Sequence, residues 1–281
     1  MQDLTIFVSS CDKYSDLWSP FFYCFSKFYK YDNEPIIVTS EGIDFSYPGL
    51  NVIVQPGDDK KNLTWGELTC KYLDLVQTKY ILFMLDDFFI RKPIKMDIIK
   101  KNLEDLEYNH NILYFSYSYV EDGKNLQSKY GDFLERPQKG RYKLNTQPCL
   151  WRTDDLKKLV HDWDNPWDWE DYGTRRLWYT SKKCYCLNSY DGVIDYGYRK
   201  DGMWAVRRGK WVIDEIKPFF DSINLTIDYS KRGEYHHVDY RKDSIILKIK
   251  RLPQTMKQIW SNHQKKIKNN QLGKFYAKEN G

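Results

Sequence analysis

The sequence predicts an α/β fold: one domain on a mixed, mainly parallel central sheet, followed by a basic helical C-terminal tail. Three observations predict it. Short apolar runs alternate with segments whose apolar residues recur at helical spacing, the pattern of strands joined by covering helices. Tyr80-Ile81-Leu82-Phe83-Met84-Leu85 is an uninterrupted apolar run, as a strand buried on both faces reads. The chain has 281 residues, 41% of them hydrophobic, enough for a large core without disulfide or metal staples.

The elements follow in order. Leu4-Thr5-Ile6-Phe7-Val8 is a short strand ending in the polar Ser9-Ser10-Cys11-Asp12. From about Ser15 to Tyr29, Leu17, Phe21, Phe25 and Phe28 share one helical face. Glu34-Pro35 leads into a second strand, Ile36-Ile37-Val38-Thr39. A weaker one, Asn51-Val52-Ile53-Val54, stops at Gln55-Pro56-Gly57-Asp58-Asp59. Leu68, Tyr72, Leu73 and Val76 place a helix over Thr64–Val76, ahead of the strand Tyr80–Leu85. In the second half a helix over Ile94–Tyr108 precedes the strand Ile112-Leu113-Tyr114-Phe115-Ser116. Another helix runs from Thr153 to Trp163, capped by Thr153 or Asp154. Asn165-Pro166-Trp167-Asp168-Trp169-Glu170-Asp171-Tyr172-Gly173 reads as an aromatic loop. With no repeat and no Pro-, Gly- or Ser-rich linker, residues 1–240 form one domain and 241–281 the tail.

Composition excludes several classes. The apolar fraction is too high for a disordered chain, and no apolar run approaches the roughly 20 residues needed to span a bilayer. Met1-Gln2-Asp3-Leu4 lacks a basic n-region, so no secretory signal is expected. The six cysteines form no CxxC pair, which fits free thiols in a reducing, cytoplasmic setting.

The net charge of +5 is unevenly spread. From Arg241 onward eleven Lys/Arg face two acids, a balance of +9, which leaves −4 for the rest. A nucleic-acid-binding core would need its basic residues on the folded body, so nucleic acid is not an expected partner. In the tail, Ile245, Ile246, Ile249, Leu252, Met256, Ile259 and Trp260 recur at helical spacing, with Lys248, Arg251 and Lys257 between them. Pro253 splits this stretch into two short helices. Such a stretch either lies on an anionic membrane surface or packs on the domain with its lysines solvated. Lys265–Gly281 reads as a polar, frayed end.

The sharpest local feature is Leu85-Asp86-Asp87-Phe88-Phe89, directly after the strongest strand. Ligands of open α/β sheets bind at the carboxyl ends of the strands, where these acids sit. Two adjacent carboxylates repel, and a hard divalent cation that also holds diphosphate oxygens would compensate them. The alternative is a turn aspartate that starts the next segment, its neighbour simply exposed. A second acidic group, Trp167-Asp168-Trp169-Glu170-Asp171, sets carboxylates among aromatic rings. From the residues alone it reads as a core-lining aromatic loop with solvated acids.

A first strand ending in a polar loop, a second ending Val38-Thr39-Ser40-Glu41, and a strand ending Leu85-Asp86-Asp87 together resemble GT-A (Rossmann-like) glycosyltransferases. The likeness runs from about Leu4 to about Trp211 and is strongest to bacterial enzymes of capsule and O-antigen assembly. The resemblance implies transfer of a sugar from a nucleotide-diphosphate donor, with Mn²⁺ or Mg²⁺ on an xDD form of the DxD motif at Asp86 and Asp87. It implies a donor half over about 1–110 and an acceptor half over 111–240. Either Glu170 or Asp171 matches the base of inverting members. Ser9, Ser10, Asp12, Tyr14 and Thr39 would surround the nucleotide. Trp65 would border the donor, Arg207 and Arg208 would face the diphosphate, and His236 would be a further metal ligand. The expected acceptor is a glycan or lipid-linked glycan, met at the inner face of the cell membrane through the tail. A non-catalytic carbohydrate-binding protein on a degenerate GT-A fold is the alternative.

Overall fold

The computed structural model describes residues 3–121, 123–190, 192–198, 205–236 and 256–279. The first elements are β1 (Leu4–Ser9), α1 (Trp18–Phe28), β2 (Ile36–Val38), β3 (Val52–Ile53), α2 (Trp65–Leu73), β4 (Tyr80–Leu85) and α3 (Met96–Tyr108). Then come β5 (Ile112–Tyr119), β6 (Leu126–Gln127), β7 (Phe133–Glu135), β8 (Cys149–Arg152), α4 (Thr153–Leu159), α5 (Pro166–Asp171) and β9 (Lys183–Leu187). The chain continues through β10 (Val206–Arg207), β11 (Lys210–Val212), α6 (Ile213–Ser222), β12 (Glu234–Tyr235) and α7 (Met256–Glu279).

The main sheet has the order β3-β2-β1-β4-β8-β5-β9-β7-β6, and a small sheet has the order β10-β11-β12. From β3 to β4 the main sheet is parallel throughout. β8 runs antiparallel between β4 and β5, and β9 is again parallel to β5. The α/β class and the mixed sheet are as the alternation predicts. The period-2 alternation of strand side chains divides the core into two layers. Leu4, Ile6, Val8, Leu82 and Met84 pack with α1 and α3. Phe7, Ile81 and Phe83 point the other way, against α2, α4 and Trp169 of α5.

The topology also fixes where a ligand can enter. After β1 the chain winds outward to β2 and β3, then returns to place β4 on the opposite side of β1. The winding therefore reverses between β1 and β4, and the crevice of such a sheet opens there, beyond the carboxyl ends. The register pairs Ser9 with Leu85, so the next residues, Ser10 and Asp86, meet at that opening.

Three local expectations change. The helix expected over Thr153–Trp163 stops at Leu159, and Arg152 precedes it without a side-chain cap, so neither Thr153 nor Asp154 serves as its cap. The segment expected to be an aromatic loop contains the short helix α5, because Asn165 caps it by accepting from the Asp168 amide and Pro166 sits in its first turn. The frayed end expected from Lys265 is instead the second half of α7, one helix from Met256 to Glu279. Its inner polar groups find partners in the body: Asn269 is buried and accepts from Arg176 Nε at 2.6 Å. Pro253 and the apolar positions Ile245–Leu252 lie outside the described residues. Among the described residues, no helix is long and apolar enough to cross a membrane. All six cysteines are free.

Candidate active site

A cavity of about 710 Å³ lies around Arg152 and Lys182, where Lys182 pairs with Asp155 at 2.6 Å and Lys79 with Glu107 at 3.3 Å. A cavity of about 760 Å³ opens at the switch point, and Ser10, Trp65, Asp87, Trp167, Glu170 and Arg207 are among its lining residues. Each wall comes from a different element. The loop after β1 supplies Ser9, Ser10, Cys11 and Tyr14; the turn after β4 supplies Asp86, Asp87 and Phe88; α5 supplies Pro166, Trp167 and Glu170. Across the opening stands the β10–β11 hairpin, whose tip residues Arg208 (φ 52°) and Gly209 (φ 76°) take the left-handed pair of angles of a tight hairpin turn. Arg207 and Arg208 therefore sit at the end of a hairpin, and both line the cavity.

The floor is tightly hydrogen-bonded. The Ser10 hydroxyl donates to Asp86 Oδ2 in a very short contact, and it accepts from Trp18 Nε1 at 2.6 Å. Thr39 ties β2 to the same loop: its hydroxyl accepts from the Ser10 amide at 2.7 Å and donates to the Ser10 carbonyl at 2.6 Å. Asp12 holds the next turn, accepting from the Ser40 hydroxyl at 2.7 Å and the Glu41 and Gly42 amides at 3.0 and 2.9 Å. Trp65, at the start of α2, donates to Ser9 Oγ at 2.9 Å. That helix begins with a full capping box, in which Thr64 and Glu67 satisfy each other's amides.

The two carboxylates of the turn are electrostatically strained. Burial first, and then the charge of Asp87, push Asp86 well above the usual carboxylate range. Burial pushes Asp87 up to about 6. Asp87 Oδ1 is buried with no hydrogen-bond partner. The nearby cation, Arg232, lowers both, but its guanidinium is already held by both oxygens of Asp16 at 2.6–2.7 Å. Among the described residues no group of three or more His, Cys, Asp or Glu could hold a metal ion. An orphaned, desolvated carboxylate oxygen beside a second carboxylate fits a divalent ion that takes its remaining oxygen ligands from a bound molecule.

On the opposite wall, Glu170 Oε1 accepts from both the amide and the hydroxyl of Thr146, each at 2.8 Å. Burial raises its pKa; the Thr146 bonds oppose this, and Asp171 adds to it. Helix geometry sorts the residues of α5. At about 100° per residue, Pro166, Trp167 and Glu170 share the cavity face. Trp169 is fully buried and donates to the Leu159 carbonyl at 3.1 Å, so it belongs to the core, whereas Trp167 is 74% exposed.

The sequence matches no protein-family model and no curated protein. Among solved structures it is similar to S. aureus TarS 1-349, with a TM-score of 0.43 and 13% identity over 68% of this chain and 59% of that one. The complex of TarS 1-349 with UDP-GlcNAc gives a TM-score of 0.41 and 13% identity, covering 68% and 57%. The galactosyltransferase LgtC in complex with donor and acceptor sugar analogs gives 0.35 and 14%, covering 55% and 59%. The chain thus spans less than two thirds of the length of each.

Of the residues singled out in the sequence, Ser9, Ser10, Tyr14, Trp65, Asp86, Asp87, Glu170, Arg207 and Arg208 line one cavity. Four others stand apart from its lining. Asp12 and Thr39 join loops beneath it, Asp171 is exposed, and His236 lies 3.4 and 3.3 Å from the carboxylates of Asp214 and Glu234. Sequence reasoning missed Thr146 and Gln147, which sit in an irregular segment before β8 with no motif to mark them. It also missed Arg232, which stacks 4.3 Å over the Tyr14 ring and reaches back more than two hundred residues to Asp16.

Proposed function

We propose that the protein is a metal-dependent, inverting GT-A glycosyltransferase that moves a sugar from a nucleotide-diphosphate donor to a hydroxyl of a glycan or lipid-linked glycan. The observation that carries this reading is the meeting, in one cavity, of two desolvated carboxylates on the β4 turn with the half-buried carboxylate of Glu170 on the opposite wall. Asp87, helped by Asp86, would hold Mn²⁺ or Mg²⁺, which when bound neutralises diphosphate charge. Ser9, Ser10, Tyr14 and Trp65 border the donor. Arg207 and Arg208 face the leaving diphosphate and offset its growing charge.

Glu170 is the base of this reading. Its Oε1 is fixed by Thr146, which leaves Oε2 to take the acceptor proton. As that proton leaves, the acceptor oxygen bonds to the anomeric carbon, and the bond to the diphosphate oxygen breaks on the opposite side. The leaving group keeps that electron pair, and the configuration inverts. Exposed Trp167, one helical turn from Glu170, offers a ring face for the acceptor sugar. Asp171 is exposed and outside the cavity lining, which favours Glu170 as the base.

The basic C-terminal segment is the proposed contact with an anionic membrane at its inner face, where a lipid-linked acceptor would be met. In α7, Trp260 is 65% and Phe275 55% exposed, and Lys266, Lys274 and Lys278 are exposed beside them.

A thermal-shift screen of nucleotide diphosphates and nucleotide sugars, with and without Mn²⁺, tests the reading, because a ligand of the native state raises apparent stability. Asp87→Ala should lose the metal-dependent shift. Glu170→Gln should keep the shift and lose transfer, while Asp171→Asn keeps both. No shift with any nucleotide in the wild type would defeat the proposal.

A further inference from the structure

The C-terminal helix does more than cover the domain. α5, which carries Glu170, has only six residues, far too few to hold a helix by itself, so its orientation depends on what grips it. Its three faces have three partners. Pro166, Trp167 and Glu170 face the cavity, and Trp169 enters the core. Asp168 lies about 200° around the helix from Glu170, on the far side from the cavity. There Lys265 of α7 donates to both Asp168 oxygens, at 2.9 and 2.8 Å, and lies 5.4 Å over the Tyr172 ring. Asp168 Oδ2 also accepts from Asn165 Nδ2 at 2.8 Å, so the lysine grips the residue that closes the cap of α5.

A second path joins the same two helices. Asn269 of α7 donates to the Lys265 carbonyl at 2.8 Å and accepts from Arg176 at 2.6 Å. Arg176 is buried, paired with Asp164 at 2.6 Å, and donates to the Leu159 carbonyl at 2.5 Å. That carbonyl also receives the Trp169 indole of α5. One turn further along α7, a Cβ at Gly273 would stand 2.9 Å from the carbonyls of Arg175 and Arg176. The helix backbone therefore rests directly on the segment that follows α5.

We propose that Lys265 and Asn269 are positioning residues for Glu170: α7 is a brace that fixes the angle of α5 and so completes the acceptor wall. This rests on the reading of Glu170 as the acceptor-side base, but the brace itself can be measured without any reaction. Amide hydrogen exchange on the full-length chain compares wild type with Lys265→Met, Lys265→Arg and Gly273→Ala. Exchange over 166–171 should rise about tenfold or more in Lys265→Met and Gly273→Ala, return toward wild type in Lys265→Arg, and stay unchanged over 80–87. Wild-type exchange over 166–171 in both Lys265→Met and Gly273→Ala overturns the brace. A uniform rise over 80–87 as well would mean that α7 supports the whole fold, which also overturns it.

A kinetic arm then separates the two ideas. With a nucleotide sugar that the wild type uses, Lys265→Met should lower kcat for transfer and leave the donor KM unchanged. Faster exchange in α5 together with no transfer by the wild type would sink the glycosyltransferase reading and leave the brace standing. Faster exchange with an unaltered kcat would show that the angle of α5 does not matter to the reaction, and the positioning role would fall.

Discussion

At the scale of single residues, the chemistry lies in carboxylates placed where they are costly. Asp87 is raised from 3.8 to about 6 by burial. A carboxyl whose folded pKa exceeds its unfolded value binds protons on folding, so its ionisation penalises the fold. The penalty is absent below about pH 4, grows as the pH rises toward 6, and is fully present above that. Asp87→Asn is therefore expected to be more stable than wild type at pH 7 by about 1–3 kcal/mol, and no more stable at pH 4. Urea titrations at the two pH values check this, and equal stabilities at pH 7 would refute it. A divalent ion should stabilise the wild type at pH 7 and not the variant.

Glu170 gives the matching kinetic expectation. Thr146→Val removes one of the two donors that hold its pKa down, so the pKa climbs further. The acid limb of the transfer rate should then move to higher pH by about one unit. A limb that does not move, in pH–rate profiles of the two proteins, would take the base role from Glu170. Asp86-Asp87 was legible because a six-residue apolar strand points straight at it. Thr146 was not: its partner lies 24 residues on, and only the folded chain joins them.

At the scale of elements, the site is held by close approaches between secondary structures that are distant in sequence. α2 carries Trp65 into the cavity wall, and its next residue, Gly66, lies against the turn that precedes α5. A Cβ there would stand 2.6 and 2.8 Å from the carbonyls of Asp162 and Asp164, and the Gly66 amide already donates to Asp164 at 3.1 Å. Gly66→Ala must therefore push α2 away from the turn before α5. The expected loss is about 1–3 kcal/mol of stability, the range of an overpacked core, together with weaker donor binding as Trp65 moves. Denaturant titration and nucleotide thermal shift check the two halves separately.

Strands β1, β2 and β4 were legible because they are short, apolar and bounded by polar turns. α5 was not, because Trp167 and Trp169 obscure any amphipathic period in so short a helix; its surest signal was the Asn165-Pro166 start, which marks a cap followed by a first turn. The extent of α7 was misjudged for a related reason. A helix that binds its neighbour through Lys265, Asn269 and Gly273 shows no apolar stripe, so its inner face reads as a polar end.

For the whole molecule, the charge division along the chain gains a spatial meaning. The residues from Arg241 onward carry +9 and the remainder −4, yet α7 is joined to the acidic body by Lys265 on Asp168 and by Asn269 on Arg176. One side of α7 is committed to the domain. Its other side carries Trp260, Ile267 and Lys274 at sevenfold spacing, with Lys278 one turn beyond, all exposed. A surface bound through that stripe would lie on the side of α7 away from α5, so membrane contact and the grip on Asp168 would use opposite faces of one helix. Each lysine near an anionic lipid surface contributes about 1 kcal/mol. The double variant Lys274→Glu, Lys278→Glu should therefore bind vesicles of anionic phospholipid at least about thirtyfold more weakly than wild type. Wild-type binding should fall steeply as salt rises, because the Debye length shrinks from about 10 Å at 0.1 M to 3 Å at 1 M. Sedimentation with anionic and with zwitterionic vesicles measures both effects. Equal binding to the two lipids, or a double variant that binds as the wild type does, would remove the membrane from the account and leave α7 with its inward role alone.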